Sequence, residues 1–187
     1  MLLNIYLISH PIIKLLSKSF ISTQINETQN NYKYKYISLF LFYEMMRKYL
    51  QIKIIYVKKV SYIETFYLLE SNKEYYIITN LLNTYNAIGE IKILMPNITI
   101  LNINSQAQLL YRDIKGINKS TNKMKRIIIL ENILDQQSII ELITILIKEN
   151  NIYIENIHII CITCYNQILD KLGKKYPKLN IYTTQII

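Results

Sequence analysis

Glycine, alanine, tryptophan, cysteine and long apolar runs are all scarce or absent in this sequence of 187 residues. It contains three Gly, two Ala (Ala87 and Ala107) and no Trp, whereas Ile occurs 40 times and Asn, Lys and Tyr are frequent. This bias is typical of A+T-rich coding DNA rather than of a particular chemistry. Because organellar genomes often show it, the composition favours a plastid (chloroplast) or a similar compartment.

Cysteine is limited to Cys161 and Cys164 in the segment IHIICITCYNQ. The Cys-x-x-Cys spacing suits a redox pair or half of a zinc site. However, the sequence has no second cysteine pair, and His158 is the only histidine nearby. The β-branched run at residues 157–163 instead favours a strand in which both cysteines pack as small apolar side chains. We therefore expect no metal site here.

No apolar run reaches the ~18 residues that a membrane-spanning helix needs. The best candidate, residues 36–46, is short and is followed by Arg47 and Lys48. The opening MLLNIYLISHPIIKLLSKSFI has no basic region before its apolar residues, and His10-Pro11 interrupts it, which argues against a signal peptide. We expect a soluble or peripheral protein without a transmembrane segment.

Acidic residues are outnumbered by basic ones, 13 against 22, which gives a formal net charge of +9. A basic chain can bind nucleic acid through its phosphates. Here the lysines are scattered through nearly every segment, and A+T-rich coding raises the Lys content without selection for binding. A nucleic-acid partner is therefore disfavoured, although it stays among the hypotheses.

Apolar periodicity is what the sequence has in abundance, and 51% hydrophobic residues suffice for one core. Alternating patterns predict strands near residues 4–8, 52–57, 75–78, 98–103, 126–130, 157–163 and 180–183. Helical patterns lie near residues 36–50, 81–94, 139–147 and 165–172. The alternation predicts a single α/β domain over residues 1–187, with a parallel sheet flanked by helices. Residues 58–72 look like a hairpin and residues 104–125 like a projecting polar flap.

Several landmarks agree with one family in order and spacing. They are ISHP at residues 8–11, Tyr43-Glu44 late in a long helical pattern, Pro96 between a helix and a strand, and KKYPKLNIYTTQI at residues 174–186. This set resembles the uracil phosphoribosyltransferase family over nearly the whole chain. The resemblance implies a type I phosphoribosyltransferase-like fold. It also implies an ancestral glycosyltransferase reaction, usually with Mg²⁺, that joins uracil to phosphoribosyl pyrophosphate (PRPP) and gives UMP and pyrophosphate.

The family's PRPP-binding motif resembles D-x-x-x-A-T-G-G-S and falls on residues 131–139. Its acidic position is kept as Glu131, which is followed by Asn132. The Ala-Thr-Gly-Gly portion is replaced by Asp135, Gln136, Gln137 and Ser138. Glycine lets backbone N–H groups approach a phosphate, often at positive φ, where another residue costs roughly 1–3 kcal/mol. The carboxylate of Asp135 would in addition repel the phosphate, and Asp135 or Ser138 is the expected N-cap of the next helix.

The family's pyrophosphate motif, P-x-L-R-A-G-L, aligns with residues 79–85. Its arginine position is Leu82, which Asn83 and Thr84 follow, so a cation for the leaving pyrophosphate is missing. The family's glycine-rich tail, resembling YIVPGLGDAGDR, reads uracil and has no counterpart before Ile187. These losses, set beside an intact pattern of strands and helices, predict a retained fold whose catalytic site is lost.

Three functional hypotheses follow. The favoured one is a pseudoenzyme without a cofactor that acts as an interaction or structural subunit, bound to itself as a homodimer or to a larger organellar complex. The alternative is a residual uracil phosphoribosyltransferase of pyrimidine salvage, or a nucleotide binder, which would use Mg²⁺. The third is a basic nucleic-acid-associated protein. In all three, His10 is expected to cap the first helix rather than to act as a base.

Overall fold

The computed structural model describes residues 3–18, 27–70, 72–103, 117, 124–134 and 138–187. The predicted flap at residues 104–125 thus lies outside the described residues, apart from Ile117 and the two residues Met124 and Lys125, which begin a strand.

Strands and helices alternate along most of the described chain. The strands are β1 (Asn4–Leu7), β2 (Ile52–Lys58), β3 (Ile63–Leu69), β4 (Lys73–Thr79), β5 (Thr99–Asn102), β6 (Met124–Leu134), β7 (Ile157–Cys164), β8 (Asn180–Thr183) and β9 (Gln185–Ile186). The helices are α1 (Pro11–Lys18), α2 (Glu27–Tyr49), α3 (Leu81–Leu94), α4 (Ser138–Lys148) and α5 (Asn166–Lys175), with a short 3-10 helix at Ile154–Asn156.

A parallel sheet forms the centre of the described structure. Its strand order is β1-β8-β7-β6-β4-β5, and β9 pairs with the end of β7. All of these pairs are parallel. The predicted α/β fold is confirmed, and the strand that begins near Arg126 lies in the middle of the sheet, as expected.

Helices cover both faces of this sheet. On one face α1, α2 and α3 pack against inward residues of β6 and β7 such as Ile128 and Ile160. On the other face α4 and α5 pack against Ile129 and Ile159. Because β6 and β7 are covered on both sides, their sequences are continuous apolar runs rather than alternating ones.

The hairpin differs from its predicted position. The strand expected at residues 52–57 is β2, and it pairs antiparallel with β3, from Ile52 opposite Leu69 to Lys58 opposite Ile63. The hairpin therefore spans residues 52–69 instead of 58–72, and within the described structure it pairs with no strand of the main sheet. Apolar alternation predicted β2 correctly as a strand but did not show which strand it pairs with, because the same pattern suits a strand of the main sheet and a strand of the hairpin.

The first helix begins as the sequence predicts. Pro11 occupies its first position, where a missing N–H is harmless. His10 lies just before it, and Nδ1 of His10 accepts a hydrogen bond from the backbone N–H of Ile12 at 3.3 Å. The expectation that His10 caps this helix is confirmed.

Candidate functional site

The carboxyl ends of β4 and β6 meet at one edge of the sheet, since the two strands are parallel neighbours with Thr79 opposite Leu130. A cleft of ≈ 420 Å³ opens at this edge between α2, the start of α3 and the end of β6. Its lining includes Leu82, Asn83 and Thr84 as well as Glu131 and Asn132. The two segments that resemble the pyrophosphate and PRPP motifs therefore face the same cleft.

Glu131 and Asn132 lie in β6, although the predicted strand ended at residue 130. β6 continues to Leu134 because Glu131, Ile133 and Leu134 remain in register with β7, opposite Cys161, Thr163 and Cys164. Only residues 135–137 are left to connect the strand to α4. Residues 131–138 contain no glycine that would interrupt the pairing of β6 with β7 before Leu134.

The remaining positions of the PRPP motif stand as follows. Asp135, Gln136 and Gln137 lie outside the described residues, so their predicted effects stay predictions. Ser138 is the first residue of α4 rather than its N-cap. The helix starts there because the apolar spacing of Ile139, Leu142 and Ile143 buries one face of it.

Leu82, Asn83 and Thr84 lie in the first turn of α3. Asn80 is the N-cap of this helix, and its Oδ1 accepts a hydrogen bond from the backbone N–H of Leu82 at 3.1 Å. Leu82 is 85% exposed at the rim of the cleft. An apolar side chain therefore points to solvent where the family carries a cation.

Thr84 belongs to the lining of the cleft but is buried, and its hydroxyl forms hydrogen bonds within the protein. Its hydroxyl donates to the backbone carbonyl of Asn80 at 3.0 Å and lies 2.8 Å from the hydroxyl of Thr79. Thr79 in turn donates to the carbonyl of Leu130 at 2.6 Å. These bonds fix the start of α3 to the ends of β4 and β6.

A direct hydrogen bond joins the two segments across the cleft. Nδ2 of Asn132 donates to the backbone carbonyl of Asn83 at 3.0 Å. The family resemblance would place PRPP between these segments, where the protein instead bonds to itself. A ligand that bridged them would have to displace this bond.

Helix α2 supplies a cation to the cleft that the motifs did not predict. Tyr34, Lys35 and Ser38 line the cleft, and Nζ of Lys35 lies 2.6 Å from Oε1 of Glu90. The hydrogen bond that Lys35 donates to Glu90 raises the pKa of Lys35. The charge of Lys35 is therefore balanced within the protein. The only feature of the sequence that indicated a contribution of α2 to the cleft was the helical spacing of Tyr34 and Ser38, which places both on one face of this helix.

No three His, Cys, Asp or Glu side chains come together as a possible metal site in the described part of the chain. Cys161 and Cys164 are free thiols in the apolar core, where the sequence predicted them to pack. The hydrogen bond between the two thiols, together with burial, raises the pKa of Cys161 well above its usual range, whereas the same bond lowers the pKa of Cys164. The buried, protonated thiol of Cys161 is therefore a poor nucleophile and a poor metal ligand.

Curated proteins similar to this chain match it over its full length. A protein of Pyropia yezoensis, "Uracil phosphoribosyltransferase homolog", is 27% identical over 187 residues, which cover 100% of this chain and 89% of that protein. A protein of Porphyra purpurea with the same description is 28% identical over 189 residues, with the same coverage of both chains. No model of a known protein family matches the chain.

A solved structure shares the fold. The AQ2163 protein of Aquifex aeolicus superimposes with a TM-score of 0.72 over 97% of this chain and 86% of that one, at 14% sequence identity. The full-length similarity, the sequence landmarks and the parallel sheet with its cleft agree with one another. Together they support a relationship to the uracil phosphoribosyltransferase family, through the full-length similarity to two proteins described as homologs of that enzyme.

Proposed function

We propose that this protein is a pseudoenzyme, a homolog of uracil phosphoribosyltransferase that acts as an interaction subunit rather than as a catalyst. The observation that carries the proposal is the exposed apolar hairpin formed by β2 and β3. An isolated two-stranded hairpin is only marginally stable in water. A contiguous exposed apolar patch of this kind marks an interaction site.

Strand alternation places six apolar side chains on one face of this hairpin. We call this the hairpin face; it consists of Ile52, Ile54, Tyr56, Ile63, Tyr67 and Leu69. Their exposed fractions lie between 38% and 70%. Burying such a surface contributes roughly 25 cal/mol per Å² of apolar area. A complex in which a partner covers this face would therefore be substantially stabilised.

A second copy of the chain is the partner that this face fits best. The hairpin face carries one formal charge, Lys58 near the tip, so packing it on itself buries no other charged residue. In a two-fold arrangement with the hairpins antiparallel, the tip of one copy would lie near the base of the other. Lys58 and Lys59 are at the tip and Glu70 is at the base. Lys58 of one copy would therefore lie near Glu70 of the other at both ends of the interface, beside the ion pairs that Lys59 forms with Glu64 and Glu70 forms with Lys73 within each chain.

The cleft supports the loss of catalysis. Leu82 replaces a cation, Lys35 is paired with Glu90, and the Asn132 bond closes the gap between the two motif segments. Preorganised positive charge is what phosphoryl chemistry needs most. Among the described residues this cleft offers no unbalanced cation to PRPP.

A plastid is the compartment that we propose. The A+T-rich composition favours an organellar genome, and the similar proteins come from the plastids of red algae. No helix in the described ranges has the length and apolar character needed to cross a bilayer. A larger organellar complex is accordingly a second possible partner for the hairpin face.

Light scattering of the purified protein tests the association. We expect a dimer at tens of micromolar, and Ile54→Asp should convert it to a monomer because the charge lies in the centre of the hairpin face. The matched control is Leu68→Asp, on the opposite face of the same hairpin and also exposed. It should leave the dimer intact. A monomeric protein without a co-purifying partner would contradict the proposal.

The alternative, a residual uracil phosphoribosyltransferase or nucleotide binder, has one observation in its favour. Both motif segments still face a single cleft, with Glu131 in it. Mg²⁺ would find in Glu131 the one carboxylate that lines the described cleft and would take its other ligands from water and substrate. A rise in melting temperature with PRPP and Mg²⁺, together with uracil-dependent release of pyrophosphate, would establish this alternative. We expect neither.

A further inference from the structure

The amino end of the sheet holds a second group of polar residues, far from the cleft. Arg126 lies near the start of β6 and His158 near the start of β7. Both face α2, since the ring of Tyr49 packs against each of them. Five residues of strand separate Arg126 from Glu131, a distance of about 16 Å. The two sites are therefore independent of each other.

Arg126 is a buried cation without a counter-ion in the described structure. It is 7% exposed, and its Nε and Nη1 have no hydrogen-bond partner there. None of the ion pairs between described residues includes it. Its guanidinium carbon lies 4.1 Å from the centre of the Tyr49 ring, but stacking on a ring leaves the N–H groups at the edge of the guanidinium unmet.

A second cation and several tyrosine hydroxyls lie around the Tyr49 ring on which Arg126 stacks. Nζ of Lys48 lies 5.6 Å from the centre of the Tyr49 ring and 3.1 Å from the hydroxyl of Tyr6. The hydroxyls of Tyr49 and Tyr182 are 3.3 Å apart. Burial lowers the pKa of His158, and the positive charges of Arg126 and Lys48 add to this effect. The same positive potential would attract an anion.

We propose that Arg126 and Lys48 bind a small oxyanion, a phosphate or a carboxylate, at the amino end of the sheet. Burying an unpaired charge is strongly unfavourable, whereas a paired and hydrogen-bonded charge is tolerated. The planar guanidinium matches the geometry of both oxyanions. Because Arg126 is 7% exposed and its Nε and Nη1 are fully covered, only a small ion or a single anionic group can reach it, after neighbouring side chains move.

Thermal unfolding in sodium phosphate, sodium acetate and sodium chloride at equal ionic strength tests this site. For an affinity near 1 mM, we expect 20 mM phosphate to raise the melting temperature by about 4–7 °C. Acetate would do the same for a site that takes carboxylates, while chloride should have little effect. The absence of any shift with both oxyanions would overturn the proposal.

Arg126→Met is the decisive variant. It should melt at a higher temperature than the unmodified protein without phosphate, because an unpaired buried charge is removed, and it should not respond to phosphate. Lys48→Met should respond less than the unmodified protein. Arg47→Met is the matched control: Arg47 is exposed, pairs with Glu44 at 3.2 Å and lies in the same turn of α2. The melting temperature of this control should rise with phosphate as much as that of the unmodified protein.

A spectroscopic measurement removes the dependence on variants. In the unmodified protein, the Nε–H resonance of Arg126 should move when phosphate is added and stay unchanged when chloride is added. An unmoved resonance, or an Arg126→Met protein that keeps the phosphate response, would refute the site. The pseudoenzyme proposal would be unaffected, since it depends on the hairpin and the opposite edge of the sheet.

Discussion

At the scale of single residues, His158 couples the stability of this protein to pH. It is fully buried, and neither ring nitrogen has a hydrogen-bond partner among the described residues. Burial lowers its pKa from 6.5 to about 3, and Arg126 and Lys48 contribute to the shift. The other groups that face it are the rings of Tyr49 and Tyr182. The folded protein therefore keeps this imidazole neutral.

Acid should destabilise the protein through this residue. The unfolded chain takes up a proton near pH 6.5, whereas the folded protein does so only near pH 3. Stability is thus fully present above pH 6.5 and is lost as the pH falls towards 3, by up to roughly 5 kcal/mol from this residue alone. Denaturant titrations at several pH values measure this slope of the free energy of unfolding against pH.

His158→Phe should flatten that slope, because the substituted ring cannot be protonated. The control is His10→Asn, which also removes one histidine but at an exposed helix cap where Asn is a good substitute. It should leave the acid slope unchanged. An equally steep slope in His158→Phe would show that other groups govern the acid response.

Asn132 offers a second test at this scale. Asn132→Ala removes the donor to the carbonyl of Asn83 and should lower the free energy of unfolding by about 0.5–1.5 kcal/mol. Asn83→Ala is a matched control, since the acceptor is the backbone and survives the substitution. Urea titration should show a loss for the first variant only. Equal losses in the free energy of unfolding would mean that the hydrogen bond of Asn132 does not itself stabilise the protein.

At the scale of elements, α2 fixes one face of the sheet. Leu41 and Met45 are fully buried against the sheet, while Tyr43, on the outer side of the same helix, is 59% exposed. Leu41→Ala should lower the free energy of unfolding by about 2–5 kcal/mol, because it leaves a cavity. Tyr43→Ala should cost much less. Thermal or chemical unfolding of both variants checks the difference.

The elements could be predicted from the sequence wherever burial is continuous. The apolar runs of β6 and β7 and the limits of β8 and α3 required no tertiary information, since covered parallel strands and periodic helices are recognisable locally. The extension of β6 through Glu131 to Leu134 was missed, because it depends on pairing with β7. The family motif describes a ligand-binding segment and gives no information about that pairing.

The residues of the cleft could also be predicted only in part. Glu131 and Leu82 were found by alignment, but Lys35 was not, because α2 is distant in sequence and reaches the cleft only through packing. Arg126 and His158 were also missed as a group: each looked like part of an apolar strand. Residues brought together by topology leave no local pattern in one sequence.

At the scale of the whole molecule, the net charge of +9 separates two kinds of association. Contacts through the apolar hairpin face should persist at 1 M NaCl, since salt screens charges but not apolar burial. Binding to RNA or DNA, the third hypothesis, should weaken steeply between about 50 and 200 mM salt. Light scattering and RNA gel shifts across this range check both. A dimer that dissociates with rising salt would argue against the hairpin face.

The position of β1 has a consequence for how the protein is made. Of the strands that the structure describes, β1 pairs only with β8, and Asn4 bonds to Asn180, 176 positions later. A ribosome that adds about 5–20 residues per second needs roughly 9–35 s to synthesise that length. During this time β1 leaves the ribosome without a strand to join. It is then available to chaperones, or to another nascent chain, until translation reaches β8.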